Sequence, residues 1–201
     1  MKFTQIPSDT FKQLQLNAGV LVTEFDPSTA SISVSNIIGA TTGGVTFTAS
    51  PSFEDWGDDI DNCPKNMLEL KKLTEWEVTM SGTFATMTAD LAAMLVGAGD
   101  ASSGKITPRN DVLTSDFADL WWVGDYSDKN GDTNGGFIAI HMLNALSTGG
   151  FQLRSSDNDK GNFAFTFTSH YSQDAPDTVP FEIYIQAGSA EPSGATGATG
   201  V

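Results

Sequence analysis

The chain has 201 residues, a net charge of −15 from 25 acidic and 10 basic side chains, and a single cysteine, Cys63. One cysteine excludes an intramolecular disulfide, and no apolar run approaches the roughly 20 residues of a membrane helix. The acid excess excludes a tight grip on phosphate backbones, yet it suits a surface that nucleic acid passes without adhering.

Composition and size fit one β-rich domain over residues 1–188, followed by a small, polar, flexible tail over 189–201, SAEPSGATGATGV. The opening shows no charged-then-apolar leader, so the chain is expected to be soluble, not exported by a standard signal, and folded where thiols stay reduced. Residues 8–17 read as a short helix capped by Ser8 or Asp9, carrying Phe11 and Leu14 on one side and ended by Gly19. A strand over 20–25 stops at Asp26 and Pro27. Ile32, Val34 and Ile38 alternating with serines predict a second strand, and Val45, Phe47 and Ala49 alternating with threonines a third.

The pattern then breaks at 51–66, PSFEDWGDDIDNCPKN, which reads as a long loop with two prolines and five acids. Loops of this length inside compact domains are usually functional or disordered. Phe53 and Trp56 argue against disorder, because aromatics in a polar loop find something to pack on: this domain's own core, or another subunit.

Residues 73–84 read as a strand with Trp76, Val78, Met80 and Phe84 on one face and Glu75, Glu77, Thr79, Ser81 and Thr83 on the other. Residues 89–96 predict a helix with Thr88 as N-cap, Asp90 facing the positive end of the dipole, and Gly97 ending it. Its apolar stripe is expected to pack on the sheet. Strands resume over 117–126, where Ala118, Leu120, Trp122 and Tyr126 oppose a mixed face with Asp119 and Asp125. Residues 137–146 are apolar on both faces, as in a central or interface strand. Residues 149–187 read as three strands joined by the polar loops SSDNDKGN and SQDAPDT. In the second, Phe163, Phe165, Phe167 and Tyr171 share a face; in the third, Val179, Phe181, Ile183 and Ile185 alternate with Glu182, Tyr184 and Gln186.

Candidate chemistry is sparse. GDASSGK over 99–105 matches G-x-x-x-x-G-K, but Ile106 replaces the magnesium-binding hydroxyl and Pro108 blocks the helix start, so it reads as a turn. Asp128, Asn130, Asp132 and Asn134 have the spacing of a calcium-loop opening. Thr133 replaces its glycine and Ala139 its bidentate acid, so a hairpin loop is the simpler reading. His141, His170 and Cys63 lack the paired spacing of zinc ligands, and G-x-S-x-G is absent. The expectation is a protein that is not an enzyme, with no cofactor and no metal site.

Four stretches resemble the major tail tube protein of long, non-contractile bacteriophage tails: FKQLQLNAGVLVTEFDP (11–27), LWWVGDYSDKNG (120–131), FIAIHMLNALSTGGFQL (137–153) and VPFEIYIQAG (179–188). The resemblance implies a β-sandwich or rolled barrel with one flanking helix. It also implies hexameric rings, stacked into a tube that carries DNA, in a virion tail assembled in the bacterial host cytoplasm. Tape-measure and tail terminator or tip proteins would be partners, DNA would pass through without specific binding, and no membrane would be engaged. Ring-to-ring contact is expected at the 51–66 loop through Phe53, Glu54, Asp55, Trp56, Asp58, Asp59 and Asp61, with the segment before Asp9 and the tail as secondary candidates. Lumen-facing candidates are Glu75, Glu77, Asp119, Asp125 and Glu182. Two alternatives stand beside this one: a related tube of a contractile tail or secretion system, and a calcium-stabilised β-sandwich binding module using Asp128, Asn130 and Asp132.

Overall fold

A computed structural model describes residues 6–7, 10, 13–126 and 136–188. The proposed cap residues Ser8 and Asp9, Phe11, the Asp128–Asn134 loop and the tail lie outside the described residues. The protein is mainly β, with one α-helix flanking a large antiparallel sheet that folds over on itself. The described strands are β1 (Gln15–Val22), β2 (Ile37–Gly39), β3 (Thr41–Asp55), β4 (Lys71–Phe84), β5 (Gly99–Ser102), β6 (Lys105–Pro108), β7 (Ala118–Tyr126), β8 (Gly136–Ser147), β9 (Gln152–Arg154), β10 (Asn162–Thr168) and β11 (Phe181–Gln186); α1 is Ala89–Val96.

One layer runs β2-β1-β7-β8, with β11 on the far side of β8; the other runs β10-β4-β3, with β9 beside β10. The layers are joined by β8, whose last residues Leu146 and Ser147 pair with Thr168 and Phe167 of β10. The strand expected to be apolar on both faces is thus the one that both layers share.

Between the layers lies the main core. Leu21, Leu120, Met142 and Ala145 of the first layer meet Val78, Met80, Phe84, Phe165 and Phe167 of the second, and α1 adds Leu91 and Leu95. The helix begins as expected, with Thr88 Oγ1 accepting from the Leu91 N–H, and ends at Gly97 with φ of 80°. A second cluster, Val22, Phe25, Trp121, Val123, Phe137 and Ala139, covers the outer face of the first layer. The "mixed" face of β7 is therefore half core.

Several expectations need correcting. The first strand begins at Gln15, so the segment around Leu16 and Asn17 is extended and not helical. A register shift between Leu16 and Val20 marks a bulge, with Asn17 and Gly19 at positive φ. Asn17 donates to Asp125, and the Trp122 indole donates to Ala18 O, fastening the bulge to β7. Gly19 is required there, because a Cβ would lie 2.6 Å from the Trp122 ring. Gly19→Ala, strained in both backbone and contact, is expected to cost about 2 kcal/mol in urea unfolding.

Ile32, Val34 and Ile38 do not share a strand: Val34–Asn36 is a 3₁₀ turn with Val34 exposed, and β2 is three residues long. GDASSGK does hold the turn read from it, at Ser103 and Gly104, both at positive φ, inside a tight hairpin, β5–β6. In β11, Phe181 packs on the core, but Ile183 and Ile185 are more than half exposed. Residues 51–55 continue β3 instead of opening a loop, pairing Pro51 with Trp76 and Asp55 with Lys71. Proline is tolerated because β3 is the outermost strand, where a missing N–H breaks no ladder bond.

Candidate functional site: a projecting hairpin and two acidic faces

Strands β3 and β4 pair along twelve registered positions, far beyond the point where the second layer has other strands to offer. The last residue of β10 pairs at Thr79. Trp76 is still held by the body, its N–H donating to Tyr171 Oη and its ring meeting Phe181 edge-on at 5.3 Å. Past Trp76 every described hydrogen bond of the hairpin stays within it. Examples are Trp56 N–H to Leu70 O, Thr74 Oγ1 to Ser52 O, and Lys71 Nζ to Asn66 Oδ1. A second register shift, between Ser52 and Phe53, turns the tip relative to the body.

The tip has its own small interior, where Gly57, Cys63, Met67 and Leu70 meet; a Cβ on Gly57 would press on Leu70 and on Cys63 Sγ. Asp55 ties the loop together, accepting from the Gly57 N–H at 3.0 Å and the Asn66 N–H at 2.7 Å. Those N–H groups, with Lys71 and Lys65 further off, hold its carboxyl below the usual carboxylate range. Asp55 is thus a clamp that shapes the loop.

Phe53 and Trp56 do not fold back on the core: they are 57% and 55% exposed. Ile60, Leu68 and Leu73 are exposed beside them, and sequence reading missed these three. Lys72 lies 4.4 Å over the Trp56 ring, and the indole N–H donates to Glu54, so the aromatic is held in place though uncovered. Glu54, Asp58, Asp59 and Asp61 are exposed around it. The tip is therefore an apolar patch ringed by carboxylates.

The expected lumen candidates fall on two different faces. Glu75 and Glu77 stand on the outer face of the second layer, opposite Ser52 and Ser50. Thr46, Thr48, Thr79, Ser81, Thr166 and Thr168 continue that face, giving a surface of short hydroxyl side chains with two carboxylates.

Asp119 and Glu182 stand on the outer face of the first layer, where His141 bridges them. Its Nε2 is 3.2 Å from Asp119 and its Nδ1 3.4 Å from Glu182, and its ring stacks on Trp121 at 3.9 Å. The cluster ties together β7, β8 and β11, and sequence spacing gave no hint of it. Asp125 is not part of it; it receives Asn17.

The Tyr184 hydroxyl donates to Glu182 at 2.6 Å and, ahead of His141, holds that carboxyl below the usual range. A depressed carboxylate contributes stability above its unfolded value, about 4.3, and loses it as pH falls through the folded value. Tyr184→Phe lets the Glu182 value climb back toward the unfolded one, so stability in urea should be lower near pH 7 and fall less on acidification, giving a shallower acid limb. Superimposable curves between pH 3 and 7 would refute this.

Among the described residues no cluster of three or more His, Cys, Asp or Glu side chains is placed to hold a metal, and no helix is long and apolar enough to cross a membrane. A hollow of about 200 Å³ lies under α1 between Met94, Leu120, Ala145 and Phe167. Asp116 at its edge is spent on Arg109 and on the Leu113 N–H. No family model matches the chain, and no curated protein matches it in sequence.

Proposed function

We propose that this protein is a structural tube subunit of a long, non-contractile phage tail, which assembles as stacked rings of six around a DNA passage and catalyses no reaction. The observation that carries the reading is the β3–β4 hairpin. It leaves the body as a self-bonded arm and ends in uncovered Phe53, Trp56, Ile60 and Leu68. Exposed apolar side chains grouped on a rigid projection mark a docking element, since a monomer gains nothing by leaving them in water.

The mainly β fold with one flanking helix agrees with what the resemblance implies. Open strand edges at β3 and β11 offer backbone groups for lateral pairing between neighbours. For the lumen wall, the Ser/Thr face bearing Glu75 and Glu77 fits better than the face of Asp119 and Glu182. Short hydroxyls carry no positive charge and the carboxylates of Glu75 and Glu77 repel phosphate, whereas Asp119 and Glu182 are occupied with His141. Tape-measure and terminator proteins are the further partners of this reading, with the virion tail as location.

Negative-stain electron microscopy of the purified protein tests it, across a range of concentration and salt. Rings or tubes with a central channel are expected. Monodisperse monomers under every condition would overturn the proposal.

A further inference from the structure

Resting on that reading, the geometry points to a receiving surface for the arm: the pole formed by β9 and the turns on either side of it, on a second copy of this chain. Strand registers place that pole. Phe53 pairs with Leu73 at one end of β4, while Phe84 at the other end pairs with Phe163, which pairs with Leu153 of β9. Eleven residues of strand separate Leu73 from Phe84, about 36 Å at 3.3 Å per residue. The arm tip and β9 therefore lie at opposite ends of one layer.

The two ends are matched in character. At the β9 end Phe151 and Leu153 are 45% and 57% exposed, and they extend the Phe163 edge of the core outward into solvent. Arg154 and Lys160 are exposed alongside, and neither makes an ion pair among the described residues. Asp157 and Asp159 in the intervening turn leave this pole near neutral, in a chain that is otherwise strongly acidic. Of the remaining described cations, Lys65, Lys71 and Lys72 belong to the arm, Arg109 is paired with Asp100 and Asp116, and Lys105 stands singly beside the β5–β6 turn. The carboxylate-ringed apolar tip thus finds its apolar, cation-bearing counterpart at the far end of the same subunit.

A surface on one end that fits the opposite end of an identical molecule is a heterologous contact, which repeats along an axis without closing. A single tip covers too little area for a stable dimer. Several tips carried by one ring and docking together bind far more tightly than one, so stacking follows ring formation.

A photoreactive benzoylphenylalanine in place of Trp56, followed by mass spectrometry of the cross-linked species, identifies what the tip touches. The expected partner peptide spans 149–162 of another copy. In parallel, Arg154→Glu with Lys160→Glu should raise the concentration needed for tube growth about ten-fold or more, with the monomer's melt unchanged. Adding Asp58→Lys and Asp59→Lys to that variant should restore growth to within about three-fold of the parent protein. Tubes that form normally with the reversed pole, or a cross-link to another surface, would overturn this assignment while leaving the tube reading standing. Parent protein that stays monomeric throughout would sink both.

Discussion

Replacing Phe53 and Trp56 together by serine is expected to abolish tubes while leaving a folded monomer. Both side chains are more than half exposed, and what they give the monomer is small. Trp56 has its cation contact with Lys72 and one hydrogen bond to Glu54. Exposed cation–π contacts contribute about 0.5–1 kcal/mol, which in a chain of this size moves the melting temperature by about 1–4 °C. Residues at the centre of a contact commonly carry 2 kcal/mol or more each, and the loss is multiplied over every copy in a ring. Calorimetry and electron microscopy on one preparation separate the two effects. A collapse of the cooperative melt would show that the arm belongs to the core.

The opposite result is expected for Phe167→Ala. This ring is 2% exposed, packs on Phe165 at 5.5 Å, and sits in the strand pair where β8 passes from one layer to the other. It also lines the hollow under α1, so its removal enlarges an existing void instead of letting neighbours close in. Truncations of this kind cost about 3–5 kcal/mol, or a fall of about 10 °C in melting temperature. The variant should still form tubes when kept cold, because its docking surfaces are untouched. A fall of less than 3 °C would mean the two layers are not held together where β8 and β10 meet.

Much of the fold was legible in the sequence because the second layer obeys strict alternation. Phe163, Phe165 and Phe167 face the core, as do Val78 and Met80, and Thr88 and Gly97 cap the helix. Period two and period 3.6 are local signals, and here tertiary packing agreed with them. Reading failed where the deciding partner was distant. The bulge at Asn17 and Gly19 is dictated by Trp122, more than a hundred residues away.

Residues 51–55 looked irregular because proline and acids are poor strand formers, yet β4 supplies a full set of pairing positions on one side. Ile183 and Ile185 carry the alternation of a buried strand, but the opposing layer does not extend over them. Of the candidate site, the aromatic anchors were visible as residue types in a polar stretch. The clamp made by Asp55, the Asp119–His141–Glu182 bridge and the apolar pole at β9 are juxtapositions that no spacing rule reports.

Because the hairpin past Trp76 satisfies its own hydrogen bonds, its length is uncoupled from the packing of the rest of the molecule. Insertions or deletions made in register on both strands would change how far the tip reaches without rewriting a single core position. In the proposed tube, the distance from one subunit to the next above it is then a quantity that selection can adjust separately from thermal robustness, and an engineer can as well.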